Sequence, residues 1–428
     1  MPDLVALPST TEDVQAILRI CRKYRVPVTP RGAGTGMSGG SVPIEGGVVV
    51  SMERMNSILS LCPEENKVTV GPGLINGELQ KVLMERGHFF PPDPSSMDFS
   101  SIGGNVALNA SGPRCFKYGA TKRYVEAFEF VTIEGDVLEV DARNPLPGLG
   151  DMLSILVGSE GTLGVLTRLD LRTVRLPEMT TCFLANFKDF SHAGGTVSVF
   201  LSQKVIPSVI EIIDGNTVRC VEEFARTGLA SGDGTLMLVE VDGPEDEVRS
   251  GSSAVEEILR SSATYVRRAE EKGERDKLWK LRKSISPSLA RIGPTKINED
   301  VCVPRTKIPE LASAVDKMIK KYGLKIFLFG HAGDGNIHVN IMTDRRNLDE
   351  MKRVEEAVRV LFDTTLSLGG TLSGEHGIGL TKKEFLKDEV GEYGMMAFRK
   401  VKDAFDPAGM LNPGKLLDST RFDRGCHV

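Results

Sequence analysis

Two histidines flank a glycine-containing turn in the segment His331-Ala-Gly-Asp-Gly-Asn-Ile-His338. The residues on either side, 326–329 and 339–341, are mainly apolar and strand-like, which predicts a β-hairpin closed by Gly-Asp-Gly-Asn. The two imidazoles would then lie at neighbouring strand ends, within cross-strand reach of one ligand. Such a pair is typical of a transition-metal site, although two structural histidines beside a plain hairpin would have the same sequence. Asp334 is interpreted as a turn residue.

A second loop, Ser373-Gly-Glu-His-Gly-Ile-Gly379, presents Glu375 and His376 between glycines. Two imidazoles and one carboxylate can hold Zn²⁺, Fe²⁺ or Mn²⁺ with coordination positions left open for a substrate. Because consecutive side chains diverge, Glu375 and His376 cannot easily share one ion. We therefore expect a divalent metal, Zn²⁺ before Fe²⁺ or Mn²⁺, with Glu375 as a ligand and His376 as a general base. The other histidines, His88, His192 and His427, are expected to have no catalytic role.

Basic residues precede these loops in the chain. Arg282 and Ser286 are one helical turn apart in a helical segment, and Lys296 follows in a strand-like segment. Each alone would be an ordinary surface side chain, so their role depends on whether the fold directs them toward the metal.

Glycine-rich segments occur three times in the first part of the chain, at residues 31–40, 101–112 and 158–164. Residues 34–39 match Gly-x-Gly-x-x-Gly, but no helix is predicted to begin there and no acidic residue follows where NAD ribose would need it. A Rossmann site is therefore rejected. Free backbone N–H groups in such loops suit phosphate oxygens, and glycines let the backbone approach a flat ring. One loop of this kind could be merely flexible, whereas three indicate an extended, phosphate-bearing cofactor.

The order of elements indicates two regions. Strands with glycine turns dominate residues 1–175, with helices over residues 10–25 and 75–86. After residue 177, longer helices alternate with strands, which predicts an α+β layer of one sheet with helices on one face. The helices are expected over residues 245–261, 270–291, 309–322 and 348–368, and strands over residues 235–241 and 325–329.

Composition limits the class of protein. A chain of 428 residues with a net charge of −5 has no basic stripe for nucleic acid. No apolar run approaches the roughly 20 residues of a membrane helix, and no secretory signal is visible at the start. The seven cysteines form no Cys-x-x-Cys pair, so we expect reduced thiols, no iron–sulfur cluster and a cytoplasmic location.

The ordered motifs resemble the D-2-hydroxyacid dehydrogenase branch of the FAD-linked oxidases, within the vanillyl-alcohol oxidase superfamily. That branch includes D-lactate dehydrogenases and the flavin subunits of glycolate oxidases. The resemblance rests on segments 30–40, 91–96, 102–107, 158–164, 330–338, 374–377 and 412–415 and covers nearly the whole chain.

The resemblance implies an α+β fold with three parts. These are a two-subdomain FAD-binding domain of the vanillyl-alcohol oxidase type (residues 1–176), a cap domain with an antiparallel sheet covered by helices (177–404), and a C-terminal segment returning to the FAD domain (405–428). The FAD would be bound non-covalently, because the first glycine loop contains no histidine. By motif match, the FAD-lining residues would be Arg31, Gly32, Ala33, Gly34, Thr35, Ser38, Pro94, Ser96, Gly103, Gly104, Asn105, Ser111, Gly112, Glu160, Gly161, Gly164, Val165 and Asn412.

The same resemblance implies roles in the cap. His331, His338 and Glu375 match metal ligands, and His376 matches the catalytic base. Arg282, Ser286, Lys296 and Asn340 match substrate contacts.

The implied reaction is oxidation of a D-2-hydroxy acid, such as D-lactate or glycolate, to the 2-oxo acid. Hydride would pass to flavin N5 and the electrons to a non-oxygen acceptor, an iron–sulfur or electron-transfer flavoprotein partner, with a homodimer left open. Two alternatives stay open: a flavin-free zinc hydrolase, and a non-catalytic flavin-binding subunit of a glycolate oxidase-like complex.

Overall fold

The computed structural model describes residues 1–142, 152–229 and 234–418. Cys426 and His427 lie outside the described residues. The strands are β1 Leu4–Ala6, β2 Val28–Arg31, β3 Val48–Ser51, β4 Ile58–Cys62, β5 Lys67–Val70, β6 His88–Phe89, β7 Val125–Val131, β8 Val137–Asp141, β9 Val165–Arg172, β10 Val174–Arg175, β11 Met179–Phe187, β12 Val209–Ile213, β13 Thr235–Gly243, β14 Tyr265–Ala269, β15 Thr295–Cys302, β16 Lys325–His331 and β17 Asn336–Thr343. The helices are α1 Thr11–Tyr24, α2 Asn76–Met84, α3 Ile102–Leu108, α4 Cys115–Tyr118, α5 Met152–Leu156, α6 Phe190–Ser202, α7 Gly215–Ala225, α8 Glu245–Ser262, α9 Lys272–Lys283, α10 Ile285–Leu289, α11 Ile308–Tyr322, α12 Leu348–Ser367 and α13 Leu386–Phe405.

The chain divides into two compact units. The first unit contains Met1–Ser111, Gly119–Leu176 and Glu375–Val428, and the second contains Gly112–Tyr118 and Pro177–Gly374. These boundaries describe packing only. The functional division into residues 1–176, 177–404 and 405–428 stays a prediction.

The first unit contains two main sheets. One is a parallel sheet of three strands in the order β1-β3-β2, and the other is an antiparallel sheet of five strands in the order β4-β5-β9-β7-β8. Helix α1 begins with a capping box between Thr10 and Asp13, and its apolar stripe reaches the core. The chain returns near its C-terminal end, where Leu411 bridges to Val28 of β2.

The second unit is built on one antiparallel sheet of seven strands in the order β14-β11-β13-β12-β16-β17-β15. Every residue of the interior strand β13 is buried, so both faces of the sheet are covered there. Helices α7, α9 and α10 pack on the face that carries Leu238. Helix α8 lies on the opposite face, where Gly251 abuts Val241, and α6, α11 and α12 pack beside it. The expectation of helices on one face was therefore wrong, because a doubly apolar sheet needs two covers.

Most predicted elements are confirmed within a few residues, and two differ. The helix expected over residues 270–291 is divided between α9 and α10 at Ser284. The second glycine segment contains helix α3, which Ser101 caps by accepting a hydrogen bond from the Gly104 N–H. Position 103 of this helix requires glycine, because a Cβ there would lie 2.6 Å from Pro72 Cβ.

Candidate active site

The predicted histidine hairpin is confirmed as strands β16 and β17 joined by a four-residue turn. His331 pairs with Asn336 and Phe329 with His338, so both histidines project from the same face of the sheet. Their ring centroids are 5.2 Å apart, and each offers a ligand atom within 4.8 Å of the other's. Both are buried, at 1% and 4% exposure. Two imidazoles at this separation can bind one ion.

The same sheet face carries other predicted substrate contacts. Asn340 is two residues beyond His338, and its neighbour across the strand pair is Asn298 of β15. Lys296 lies one alternation further along β15, again on this face. The Oδ1 of Asn340 has no hydrogen-bond donor among the described residues. Lys296 forms no ion pair in the described ranges, and burial lowers its pKa.

Arg282 reaches this face from helix α9. Its guanidinium carbon lies 4.8 Å from the centroid of the Phe329 ring, and only 7% of the residue is exposed. Its Nη2 has no acceptor in the part of the chain that the structure describes. Ser286, predicted beside it, is exposed on α10. The fold therefore brings Arg282, Lys296 and Asn340 to the histidine face and leaves Ser286 at a surface.

Glu211 is a site residue that sequence reasoning missed. It lies on β12 opposite His331, and its carboxylate accepts hydrogen bonds from His331 Nδ1 and Arg282 Nε. Burial would raise the pKa of this carboxyl, but the Arg282 guanidinium and the hydrogen bonds from His331 and Arg282 outweigh burial and lower it to about 2. A carboxylate inside the apolar strand Val209–Ile213 was the available signal.

The loop that carries His376 is held within the first unit by two of the predicted FAD residues. Ser38 Oγ donates to the carbonyl oxygens of His376 and Gly377, at 2.8 Å each. The Glu160 carboxylate accepts the N–H groups of Ile378 at 2.7 Å and Gly379 at 2.8 Å. These side chains therefore position the loop, whatever their part in FAD binding.

Glu375 begins this loop. Its carboxylate accepts a hydrogen bond from Ser111 Oγ at 3.0 Å, and its Oε1 lies 4.0 Å from His376 Nε2. The residue before it, Gly374, donates its N–H to the Asp300 carbonyl at 2.8 Å. Asp300 is the cross-strand partner of His338, so the chain leaves the second unit beside that histidine.

Replacing Glu160 by glutamine is expected to loosen this loop. The glutamine side chain has only one acceptor oxygen, whereas the N–H groups of Ile378 and Gly379 each need an acceptor. The cost of an unsatisfied buried donor is roughly 1–3 kcal/mol in free energy of unfolding. Urea denaturation followed by circular dichroism would measure it, and deuterium uptake at residues 376–380 should rise. The exposed Glu64→Gln is the control. Unchanged uptake in Glu160→Gln would refute the positioning role.

The residues of the first unit fit a phosphate-bearing flavin. The N–H groups of Gly34, Thr35 and Gly36 donate no backbone hydrogen bond within the described residues, so they are available to phosphate oxygens. Gly32 lies so close to Ser101 that a Cβ would be 2.1 Å from its Oγ. The buried Nδ2 of Asn105 has no acceptor in the described chain. Open N–H groups and a buried donor are what an FAD would satisfy.

The remaining predicted FAD residues lie in several places. Asn412 donates through Nδ2 to the carbonyl oxygens of Gly40 and Glu160, at 2.8 Å each. Gly112 belongs to the second unit. The others in the first unit are Arg31, Ala33, Pro94, Ser96, Gly104, Gly161, Gly164 and Val165. Their contact with FAD stays a prediction.

Comparison with known proteins places the chain in a family. Residues 176–416 match the family of FAD linked oxidases, C-terminal domain, and residues 2–141 match an FAD binding domain. The chain is 40% identical over 97% of its length to the glycolate oxidase subunit GlcD of Bacillus subtilis (strain 168), covering 89% of that protein. It is 31% identical over 97% of its length to a D-lactate dehydrogenase of Anaerostipes hadrus, again covering 89%.

Solved structures show the fold. A crystal structure of p-cresol methylhydroxylase with substrate bound matches with a TM-score of 0.78 and 17% identity, covering 97% of this chain and 88% of that one. The architecture is thus the vanillyl-alcohol oxidase type, as expected. The protein is a flavin-dependent oxidoreductase with an FAD-binding domain and a C-terminal domain. It belongs to the FAD-linked oxidase family. Across the described ranges, no helix has both the length and the apolar character required to span a bilayer.

Proposed function

We propose that the protein oxidises a small D-2-hydroxy acid, D-lactate or glycolate, to the 2-oxo acid with non-covalent FAD and a divalent metal. The observation that supports this best is the single sheet face that presents two buried imidazoles beside Arg282. A guanidinium N–H without an acceptor is suited to a carboxylate, and imidazoles are suited to a metal. Similarity to a glycolate oxidase subunit and to a D-lactate dehydrogenase supports this substrate class.

Arg282 and Lys296 would bind the substrate carboxylate. Both are basic side chains, Lys296 on the sheet face and Arg282 on the helix that packs over it, and Arg282 Nη2 has no acceptor among the described residues. Asn340 Oδ1, which has no donor among the described residues, would accept the substrate hydroxyl or a water molecule. Ser286, which is exposed on α10, stays a predicted substrate contact. These groups orient the substrate before any bond changes.

The donor set fits a divalent metal. Because His331 donates its Nδ1–H to Glu211, its Nε2 keeps a lone pair for the ion. His338 would be the second ligand and Glu375, directly after Gly374, the third. Zn²⁺ is the proposed ion, with Fe²⁺ or Mn²⁺ as alternatives, since two imidazoles and one carboxylate leave positions open.

His376 would accept the proton of the substrate hydroxyl, because imidazole is the side chain that most often acts as a general base. When bound, the metal would supply Lewis acidity and the flavin a hydride acceptor. Residues 1–176 would serve the flavin and residues 177–404 the substrate, with residues 405–428 completing the flavin domain.

We also propose a partner protein. The Bacillus subtilis relative is named as a subunit, which supports an assembly in which electrons leave through an iron–sulfur or electron-transfer flavoprotein partner. A homodimer stays open, and a cytoplasmic location stays a prediction from the sequence.

The purified protein is expected to be yellow and to release intact FAD on acid treatment. Anaerobic addition of D-lactate or glycolate should bleach the flavin absorbance, whereas L-lactate should not. A protein that stays colourless with added FAD would contradict flavin binding and favour the hydrolase alternative. A yellow protein that no 2-hydroxy acid bleaches would favour the non-catalytic subunit.

A further inference from the structure

Glu211 connects the proposed metal ligand His331 with the proposed substrate contact Arg282, which are far apart in the sequence. Its Oε1 is bonded to His331 Nδ1 and its Oε2 to Arg282 Nε, and its side chain is fully buried. Each carboxylate oxygen therefore serves a different partner. A buried carboxylate stays ionised only when its partners compensate for the loss of hydration. Loss of either His331 or Arg282 would therefore destabilise the charge on Glu211.

The two hydrogen bonds have different consequences. Donation from His331 Nδ1 sets the ring tautomer, in which Nε2 is the unprotonated nitrogen. Donation from Arg282 Nε holds the guanidinium over Phe329, so that Nη2 is the N–H group left without an acceptor in the described chain. Rotation of either side chain would break its hydrogen bond to Glu211. It would also displace His331 Nε2 from the metal or Arg282 Nη2 from the substrate carboxylate.

We infer that Glu211 is a positioning residue that couples His331 to Arg282, so that one carboxylate governs affinity for the metal and for the substrate carboxylate. This inference rests on the proposed function of the site. It adds that one side chain, which contacts neither metal nor substrate, holds both the His331 imidazole and the Arg282 guanidinium in their binding orientations.

A second buried carboxylate provides a matched control. Glu240 lies on the neighbouring strand β13, on the same face, and is 3% exposed. Its partners are Trp279 Nε1 at 3.0 Å, Cys182 Sγ at 3.1 Å and Arg114 Nη2 at 3.5 Å. Glu240→Gln therefore perturbs the same sheet face with the same change in charge, through a different set of partners.

The test compares the zinc-loaded, flavin-containing protein with its Glu211→Gln and Glu240→Gln variants. Competition with a chromophoric chelator would measure zinc affinity, and steady-state kinetics with saturating zinc would separate KM from kcat for D-lactate. We expect Glu211→Gln to weaken zinc binding by about 10–100-fold, as loss of a partner behind a ligand does. KM for D-lactate should also rise, while Glu240→Gln stays near the parent in both.

A third readout needs no activity. In metal-free protein labelled with nitrogen-15 histidine, the His331 signals, assigned with His331→Asn, should report a protonated Nδ1 in the parent and a changed tautomer in Glu211→Gln. If the parent fails to oxidise any 2-hydroxy acid, the proposed function fails while this spectrum still tests Glu211. Parental zinc affinity, KM and His331 signals in Glu211→Gln would overturn the inference, as would equal losses in Glu240→Gln.

Should Glu211→Gln fail to fold, Glu211→Asp provides the second variant. It keeps the charge but withdraws the carboxylate by one methylene, so it cannot reach both partners. We expect it to retain flavin and to lose zinc affinity or substrate affinity. Parental values for both would refute the coupling role.

Discussion

Replacing His376 by asparagine is expected to slow oxidation of bound D-2-hydroxy acid by about 10²–10⁴-fold, the usual cost of removing a general base. The loss should fall on kcat, because proton removal belongs to the transition state and not to ground-state binding. Metal, flavin and substrate affinity should be retained, since Ser38 and Glu160 hold the backbone of this loop without using the imidazole.

Stopped-flow reduction of the flavin at saturating substrate would measure this effect. His88→Asn is the control, because His88 is a buried histidine of the same unit whose ring contacts Arg86 and Asn66. A near-parental reduction rate in His376→Asn would show that His376 is not the base. Lower thermal stability with normal turnover would assign it a structural role.

Removal of the metal is expected to abolish turnover while the flavin stays bound. The proposed ligands His331 and His338 lie in the second unit, whereas the main glycine segments lie in the first. The double change His331→Ala, His338→Ala should therefore have the same effect as chelation. Without a Lewis acid, the substrate hydroxyl keeps its high pKa and its proton is not transferred.

Turnover, metal content and flavin absorbance measured on one chelated sample would show whether turnover is lost while the flavin stays bound. His192→Ala is the control variant, because His192 is exposed and pairs with Asp189. Glu375→Gln should lower metal occupancy, with partial rescue by added Zn²⁺. Full turnover in the chelated protein would rule out the metal assignment.

Local patterns were sufficient for the elements and for the hairpin that pairs the histidines. The capping box of α1 and the apolar spacing after Thr10 act within one helix, and the Gly-Asp-Gly-Asn turn acts between adjacent strands. Such interactions involve residues that are close together in the chain, so they can be predicted from the sequence alone. The motif order added the flavin family, which the family comparison confirmed.

The tertiary structure alone decided which distant side chains meet. Glu211 reaches His331 and Arg282 only because β12 pairs with β16 and α9 packs on that face, a juxtaposition that no periodicity encodes. Glu160 likewise meets the His376 loop across more than 200 residues of chain, by hydrogen bonds at 2.7 Å and 2.8 Å. Register and helix placement depend on the packing of the whole core, so the residues that orient the proposed ligands and base emerged only from the folded chain.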